Sequence, residues 1–300
     1  MRTKHLLIGA TALGLLLAAC GSDDKASDTT KAAATTAAAG ASTTAAAATP
    51  GGTVDCKPIK PGVLTVVTSL PGPNFWGTNE SDPTQIKTGL EYDMAQDIAA
   101  RCGLKMEFRN EGFDAIVAGQ IPDGSYDIVL SQVTITDDRA KVVDFSTGYF
   151  KADQGILVKK GTTVGSWDDL KKMTVGVQAS TTAESYLLGQ TGDGKYKIDN
   201  VKSFPDLTSA YEALSSGQVD AVVIDTPINL GQAAQSNGEL TVVGQFKTGD
   251  EYGAIFPKGS DRKAVFDPII KTMLDNGTIT DLTVKYFKGD PSQVPFVEPS

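Results

Sequence analysis

A glycine turn, an aspartate and a run of apolar residues occur twice in this chain, each time after a helix-like stretch. The first copy is Gly124-Ser125-Tyr126-Asp127-Ile128-Val129 and the second is Ser216-Gly217-Gln218-Val219-Asp220-Ala221-Val222, with the two aspartates 93 residues apart. Such a segment reads as a turn feeding a buried strand. Its recurrence predicts two similar lobes, each a small α/β sheet, and it organises the reading of everything around it.

Strand-like and helix-like stretches alternate on either side of each copy, the pattern of a parallel-sheet α/β protein. In the first unit, strands are expected at Gly62 to Thr68, Lys105 to Phe108 and Tyr126 to Leu130. Tyr92, Met94, Ala95, Ile98 and Ala99 recur at helical spacing, and a short helix is expected from Phe113 to Ala118. The second unit begins after the apolar run Gly155 to Lys159; in it Thr174 to Val177 and Val219 to Ile224 read as strands, with helices from Thr181 to Leu188 and around Leu207 to Leu214. The chain ends in two helices with apolar faces, one carrying Val265, Ile269, Ile270, Met273 and Leu274, the other Leu282, Val284, Tyr286 and Phe287. If these return to the first unit, the second is inserted into it. The expected division is 56–153 with 249–300 as lobe 1 and 154–248 as lobe 2, with two chain crossings as a hinge.

Ahead of these units lies a segment of another kind. Arg2 and Lys4 precede an apolar run from Leu6 to Ala19, too short for a permanent membrane span and suited to a secretory signal at 1–19. Leu17-Ala18-Ala19-Cys20-Gly21 resembles the lipobox of bacterial lipoproteins, which implies that Cys20 is lipidated. Residues 20–55 are mostly Ala, Thr, Ser, Gly and Asp, without an aromatic or large aliphatic side chain before Val54. Such a stretch buries too little apolar surface to offset its ordering entropy and is expected to be a flexible tether. The expected location is extracytoplasmic, at the cell membrane.

Two absences narrow the chemistry. The single histidine is His5, inside the expected signal, so Ser-His and Cys-His catalysis and histidine-ligated metal are not expected. Beyond Cys20 only Cys56 and Cys102 remain, too few for a cysteine zinc site and better read as one disulfide outside the cytoplasm. No metal and no cofactor is expected. The formal charge of −9 argues against nucleic acid as a partner.

A specific resemblance appears at Gln132-Val133-Thr134-Ile135-Thr136-Asp137-Asp138-Arg139-Ala140-Lys141-Val142-Val143-Asp144-Phe145-Ser146. With Gly89-Leu90-Glu91-Tyr92-Asp93-Met94-Ala95, Val175-Gly176-Val177 and Val219 to Asp225, it resembles the amino-acid branch of the bacterial extracellular solute-binding proteins, from about Gly62 to Gly289. The resemblance implies the type-II periplasmic-binding fold, an α/β architecture with two mostly parallel sheets and a ligand cleft between them. It also implies that Arg139 grips the ligand's α-carboxylate, as a planar guanidinium does well. Thr134 would assist from lobe 1 and Thr182 from lobe 2. Asp225 would receive the α-ammonium and Phe113 would cover the aliphatic part.

The sequence agrees in one respect. Thr68 to Trp76, Ser131 to Thr134, Gln178 to Thr182 and Asp225 each follow the carboxyl end of an expected strand, where open parallel sheets bind ligands. Ser131, Gln132, Gln178 and Thr181 are therefore expected beside the ligand. Thr181 and Glu184 also have capping-box spacing. Two positions depart from the family pattern. Pro71-Gly72-Pro73 stands where many members carry an aromatic residue, so that Phe75 or Trp76 is expected to substitute, and Gln132 stands where Gly or Ser is usual.

The expected function is capture of a polar amino acid or close analogue, followed by delivery to the membrane subunits of an ABC transporter. A monomer held at the membrane by its lipid is expected, and an enzyme is not. The alternatives are a cyclohexadienyl or arogenate dehydratase-like enzyme on the same fold, and a ligand sensor for a membrane receptor.

Overall fold

The computed structural model describes residues 53–77, 82–287 and 291–299. The expected signal peptide, Cys20 and all but the last three residues of the tether lie outside the described residues. No helix among the described residues is long and apolar enough to cross a membrane.

The first lobe opens with β1 (Val63–Thr68), α1 (Leu90–Arg101), β2 (Lys105–Asn110), α2 (Phe113–Val117), β3 (Ile128–Val129) and β4 (Val143–Phe145). A second run follows: β5 (Phe150–Lys159), α3 (Trp167–Leu170), β6 (Val175–Gln178), α4 (Thr182–Leu187), β7 (Val201–Phe204), α5 (Leu207–Ser216), β8 (Ala221–Asp225), α6 (Thr226–Gln235) and β9 (Leu240–Tyr252). The chain then returns through β10 (Ile255–Pro257), α7 (Arg262–Asp275) and α8 (Thr278–Tyr286).

These strands form two five-stranded sheets, ordered β2-β1-β3-β10-β4 and β7-β6-β8-β5-β9. In each sheet four strands run one way and one runs against them: β10 lies antiparallel between β3 and β4, and β5 antiparallel between β8 and β9. The long pair β5 and β9 forms the crossings. At the Phe150–Tyr252 end, the two rings stack 5.7 Å apart, and Phe75 and Phe287 pack against them. The apolar run at 155–159 is only the second half of β5, whose first half alternates buried Phe150 and Ala152 with the more open Lys151 and Asp153.

The repeated aspartates perform one job twice. Asp127 Oδ2 accepts the Thr65 backbone N–H of β1 at 2.8 Å, and Asp220 Oδ2 accepts that of Thr174, at the start of β6, at 2.8 Å. Each carboxylate thus ties the entrance of one strand to its parallel neighbour. Asp127 is fully buried and also pairs with Arg262 of α7 at 3.2 Å. The C-terminal helices therefore close onto the first lobe, where α7 and α8 pack on α1.

The far C-terminus departs from the expected division. The Gln245 backbone of β9 exchanges hydrogen bonds with Pro295 and Val297, and Val297 is buried. Glu298 accepts from the Lys247 backbone and from the Tyr196 hydroxyl. Residues 291–299 thus pack on the second lobe, not the first. Apolar periodicity could not reveal this, because the strap is held by β9 backbone that carries no local signal.

Cys56, ahead of β1, and Cys102, at the end of α1, are joined by a disulfide with a Cα–Cα distance of 5.5 Å.

Candidate ligand-binding site

The carboxyl ends of the parallel strands in both sheets face one another, because both lobes hang from the same β5–β9 crossing. The cavity between them measures about 20 Å³, room for about one water. Its wall on the first lobe includes Phe113, Ser131, Gln132, Thr134 and Arg139, and on the second Gln178, Thr181, Thr182 and Asp225. Nine of the ten residues expected to meet a ligand therefore line one cavity.

Arg139 opens a single 3-10 turn, Arg139–Lys141. Its neighbour Asp138 pairs with Lys141, which leaves the guanidinium free to turn inward. Nη1 donates to the Thr134 carbonyl at 2.8 Å, and Nη2 donates across the cleft to the Ser180 carbonyl at 2.9 Å. The guanidinium carbon lies 5.6 Å from the centre of the Phe113 ring, a cation–π distance. Burial brings its pKa down to about 10, opposed by Asp225 and Asp250, so it remains cationic at neutral pH.

Asp225 ends β8 and stands at the N-cap position of α6, but its side chain makes no capping bond. It points instead into a buried cluster. Oδ2 accepts the Tyr252 hydroxyl at 2.6 Å, and Oδ1 accepts Nε2 of Gln154. Burial raises its pKa to about 7; Tyr252 and Gln154 pull it down, and Asp250 pushes it up. Burial and the adjacent carboxylate hold the Tyr252 hydroxyl well above its usual value, so it serves as a donor. Asp250, also raised chiefly by burial, is held by the Tyr186 hydroxyl at 3.1 Å.

The start of α4 forms the facing edge. Thr181 Oγ1 accepts the Glu184 backbone N–H at 3.2 Å and donates to the Gln178 carbonyl at 2.6 Å. Glu184 reaches back to the Ser180 backbone N–H at 2.7 Å and also takes the Ser203 hydroxyl. This is the capping pattern shifted by one residue, and it fixes Thr181 and Thr182 at the cleft.

Trp76 does not line the cavity, contrary to expectation. It is fully buried in the first lobe, where its indole nitrogen donates to Glu91 at 2.8 Å and to the Leu130 carbonyl at 2.9 Å. A large ring whose single donor has a buried carboxylate for a partner gains more from the core than from a cleft edge. Phe75 is equally buried, in the aromatic group at the lobe crossing. The loop instead offers Ser69, Leu70 and Pro71 to the cavity, and Ser131 Oγ accepts the Ser69 N–H at 2.9 Å. Leu207, Ile224 and Ile228 complete the opposite wall.

Sequence reasoning also missed the second layer. Gln154 and Tyr252, on the crossing strands, carry Asp225. Glu91, on α1, carries Gln132. It accepts the Gln132 backbone N–H at 2.9 Å, the Gln132 side-chain amide, the Trp76 indole and the Tyr149 hydroxyl. Burial raises its pKa, and these donors oppose the rise. A signal existed for Glu91: it is a lone acid on the helix face shared with Ala95 and Ile98.

Two α/β lobes on a crossing pair of strands, with a cation and a carboxylate facing one cleft, define a two-lobe solute-binding protein of the type-II periplasmic-binding fold. The chain belongs to the bacterial extracellular solute-binding proteins, family 3, whose family model matches residues 64–289. It is 34% identical over 207 residues to the L-cystine-binding protein TcyJ of Escherichia coli (strain K12), covering 68% of this chain and 75% of that protein. It is 31% identical over 211 residues to the ABC transporter glutamine-binding protein GlnH of Bacillus subtilis (strain 168), covering 68% and 74%. Among solved structures it resembles an ancestral arginine-binding protein bound to arginine, with a TM-score of 0.64 and 34% identity over 75% of this chain and 98% of that one.

Proposed function

We propose that the protein captures an α-amino acid in the interlobe cleft and hands it to the membrane subunits of an ABC transporter. The observation that carries this reading is the facing pair of Arg139 and Asp225 on one cavity wall each. They are opposite charges suited to the two ends of a zwitterion. The relatives are described as binding cystine, glutamine and arginine, which share only that α-amino-acid head.

In this reading, the ligand carboxylate takes the Arg139 donors now satisfied by the Thr134 and Ser180 carbonyls. Thr182 meets the carboxylate from the α4 edge. The ammonium meets Asp225. A cavity of about 20 Å³ is far smaller than an amino acid, so entry requires the lobes to part and then close on the ligand. The lobes divide as 56–153 with 249–287 and 154–248 with 291–299. Cys20 carries the lipid anchor, residues 21–55 act as the tether, and the protein works as an extracytoplasmic monomer.

Binding without turnover is favoured by the state of Glu184, the acid nearest the helix edge. The Ser180 backbone and Ser203 already occupy its carboxylate. Isothermal titration against the common amino acids tests the function. Micromolar binding of at least one, without conversion of prephenate or arogenate, is expected; no binding of any would sink it.

A further inference from the structure

The two departures from the family pattern, Gly72 and Gln132, meet in space. A Cβ placed on Gly72 would lie 3.0 Å from Gln132 Oε1 and 3.5 Å from Nε2. An aromatic side chain at 72 and a glutamine at 132 would compete for one volume, so the small residue accommodates the large one.

Gln132 is held firmly. Its backbone is in the left-handed region, with φ of 48°, a cost for a non-glycine residue that neighbouring contacts must offset. Glu91 supplies them, taking both the backbone N–H and the side-chain Nε2. That bond also settles the amide orientation, since the nitrogen must face the carboxylate and the oxygen must face away. No donor among the described residues reaches Oε1, and Gln132 lines the cavity.

We propose that Gln132, positioned by Glu91 and accommodated by Gly72, presents a fixed hydrogen-bond acceptor that selects uncharged α-amino acids with an N–H or O–H donor on the side chain. This rests on the amino-acid reading above and names the ligand class of the same site. Near Gln132 the wall is Leu70 and Pro71, with Leu207 and Ile228 opposite, which suits an apolar stem below the donor.

The charge balance excludes the charged alternatives. Arg139 and Asp225 are the charged side chains on the cavity wall among the described residues, and the two ends of the amino-acid head consume them. Glu91 is no counter-ion for a third charge. A carboxylate has about four acceptor positions, and four donors already reach this one. The one further acid close to this pair, Asp250, is off the cavity wall and is held by the Tyr186 hydroxyl, so a lysine or arginine side chain would be buried without a free partner. A glutamate side chain would set its carboxylate against the Gln132 oxygen.

The test is calorimetric titration of the folded protein with matched pairs that differ in the donor: glutamine with methionine, asparagine with leucine, threonine with valine. Lysine, arginine and glutamate serve as charged probes. At least one donor-bearing member should bind about tenfold or more tighter than its partner, because an unpaired buried acceptor is costly. Gln132→Gly, which suits the left-handed backbone, and Gln132→Met should both reduce that ratio to within about threefold, consistent with loss of one hydrogen bond. Glu91→Gln should lower the ratio too, a readout that general destabilisation would not move, and Gly72→Ala should do so by crowding Oε1. Equal binding within every pair, an unchanged ratio in both Gln132 variants, or tightest binding of a charged probe would each overturn this inference while leaving amino-acid capture intact. Failure of every probe to bind the wild-type protein would overturn both.

Discussion

Arg139 and Ser180 belong to opposite lobes, yet the guanidinium Nη2 donates to the Ser180 carbonyl across 2.9 Å. The same guanidinium holds the Thr134 carbonyl of its own lobe at 2.8 Å, so one side chain bridges the cleft at the point where the ligand head is proposed to enter. Ser180 is set for this by a left-handed backbone, with φ of 65°, and by Glu184, which holds its N–H. Arg139 is therefore both a latch between lobes and the ligand's proposed anion partner.

Truncating Arg139 to alanine is expected to weaken ligand binding by at least about 30-fold, the range for losing one partner of a buried charge pair. Arg139→Lys should recover only part of this, because an ammonium lacks the planar fork. Calorimetric titration measures the affinity, and an unchanged melting temperature would confirm that the lobes remain folded. Wild-type affinity in the alanine variant would remove Arg139 from the site.

Asp225 predicts two pH effects of opposite practical sense. With a carboxyl pKa of about 7 in the folded protein and about 4 when unfolded, the folded state holds the extra proton between these values. The contribution to stability is complete below about pH 4 and is lost as pH rises through about 7. Asp225→Asn should flatten that slope and melt higher than wild type at pH 8, since Gln154 can flip its unpaired Oε1 toward the new amide nitrogen. Ligand binding runs the other way. An ammonium partner favours the carboxylate, so affinity should rise from about pH 5.5 to 8 with proton release, as titrations in buffers of different ionisation enthalpy would detect.

Gly231, on α6 of the second lobe, packs directly against Pro73 in the Pro71-Gly72-Pro73 turn of the first. A Cβ there would lie 2.7 Å from that of Pro73. Gly231→Leu should therefore hold the lobes apart, lowering affinity by about tenfold or more, the strain cost of overpacking. Small-angle scattering should show the variant failing to contract with saturating ligand as wild type does. Normal contraction would show that this contact does not limit closure.

The Cys56–Cys102 bond closes a 46-residue separation between the start of β1 and the end of α1. Replacing both cysteines with serine is expected to cost about 2–4 kcal/mol of stability, read from denaturant unfolding. Ligand affinity should change little, because the bond lies at the edge of the first sheet opposite the cleft. A large loss of affinity at unchanged stability would contradict that separation of roles.

The order of strands and helices was legible because burial imposes a period on each element. Tyr92, Met94, Ala95, Ile98 and Ala99 mark one face of α1, and the Asp127 and Asp220 repeats mark two parallel strand entrances. The cleft edge was legible too, since polar residues at strand ends must gather where a parallel sheet binds. What determined the working detail was tertiary structure. Trp76 is drawn into the core, Gly72 and Gln132 share one volume, and residues 291–299 cross back to β9. Gln132 meets Glu91 across 41 positions, and Asp225 meets Gln154 across 71. Such partners are chosen by which side chains the packed lobes bring together in the absence of water. A pairing made at that distance leaves no period and no neighbouring residue type in the sequence to announce it.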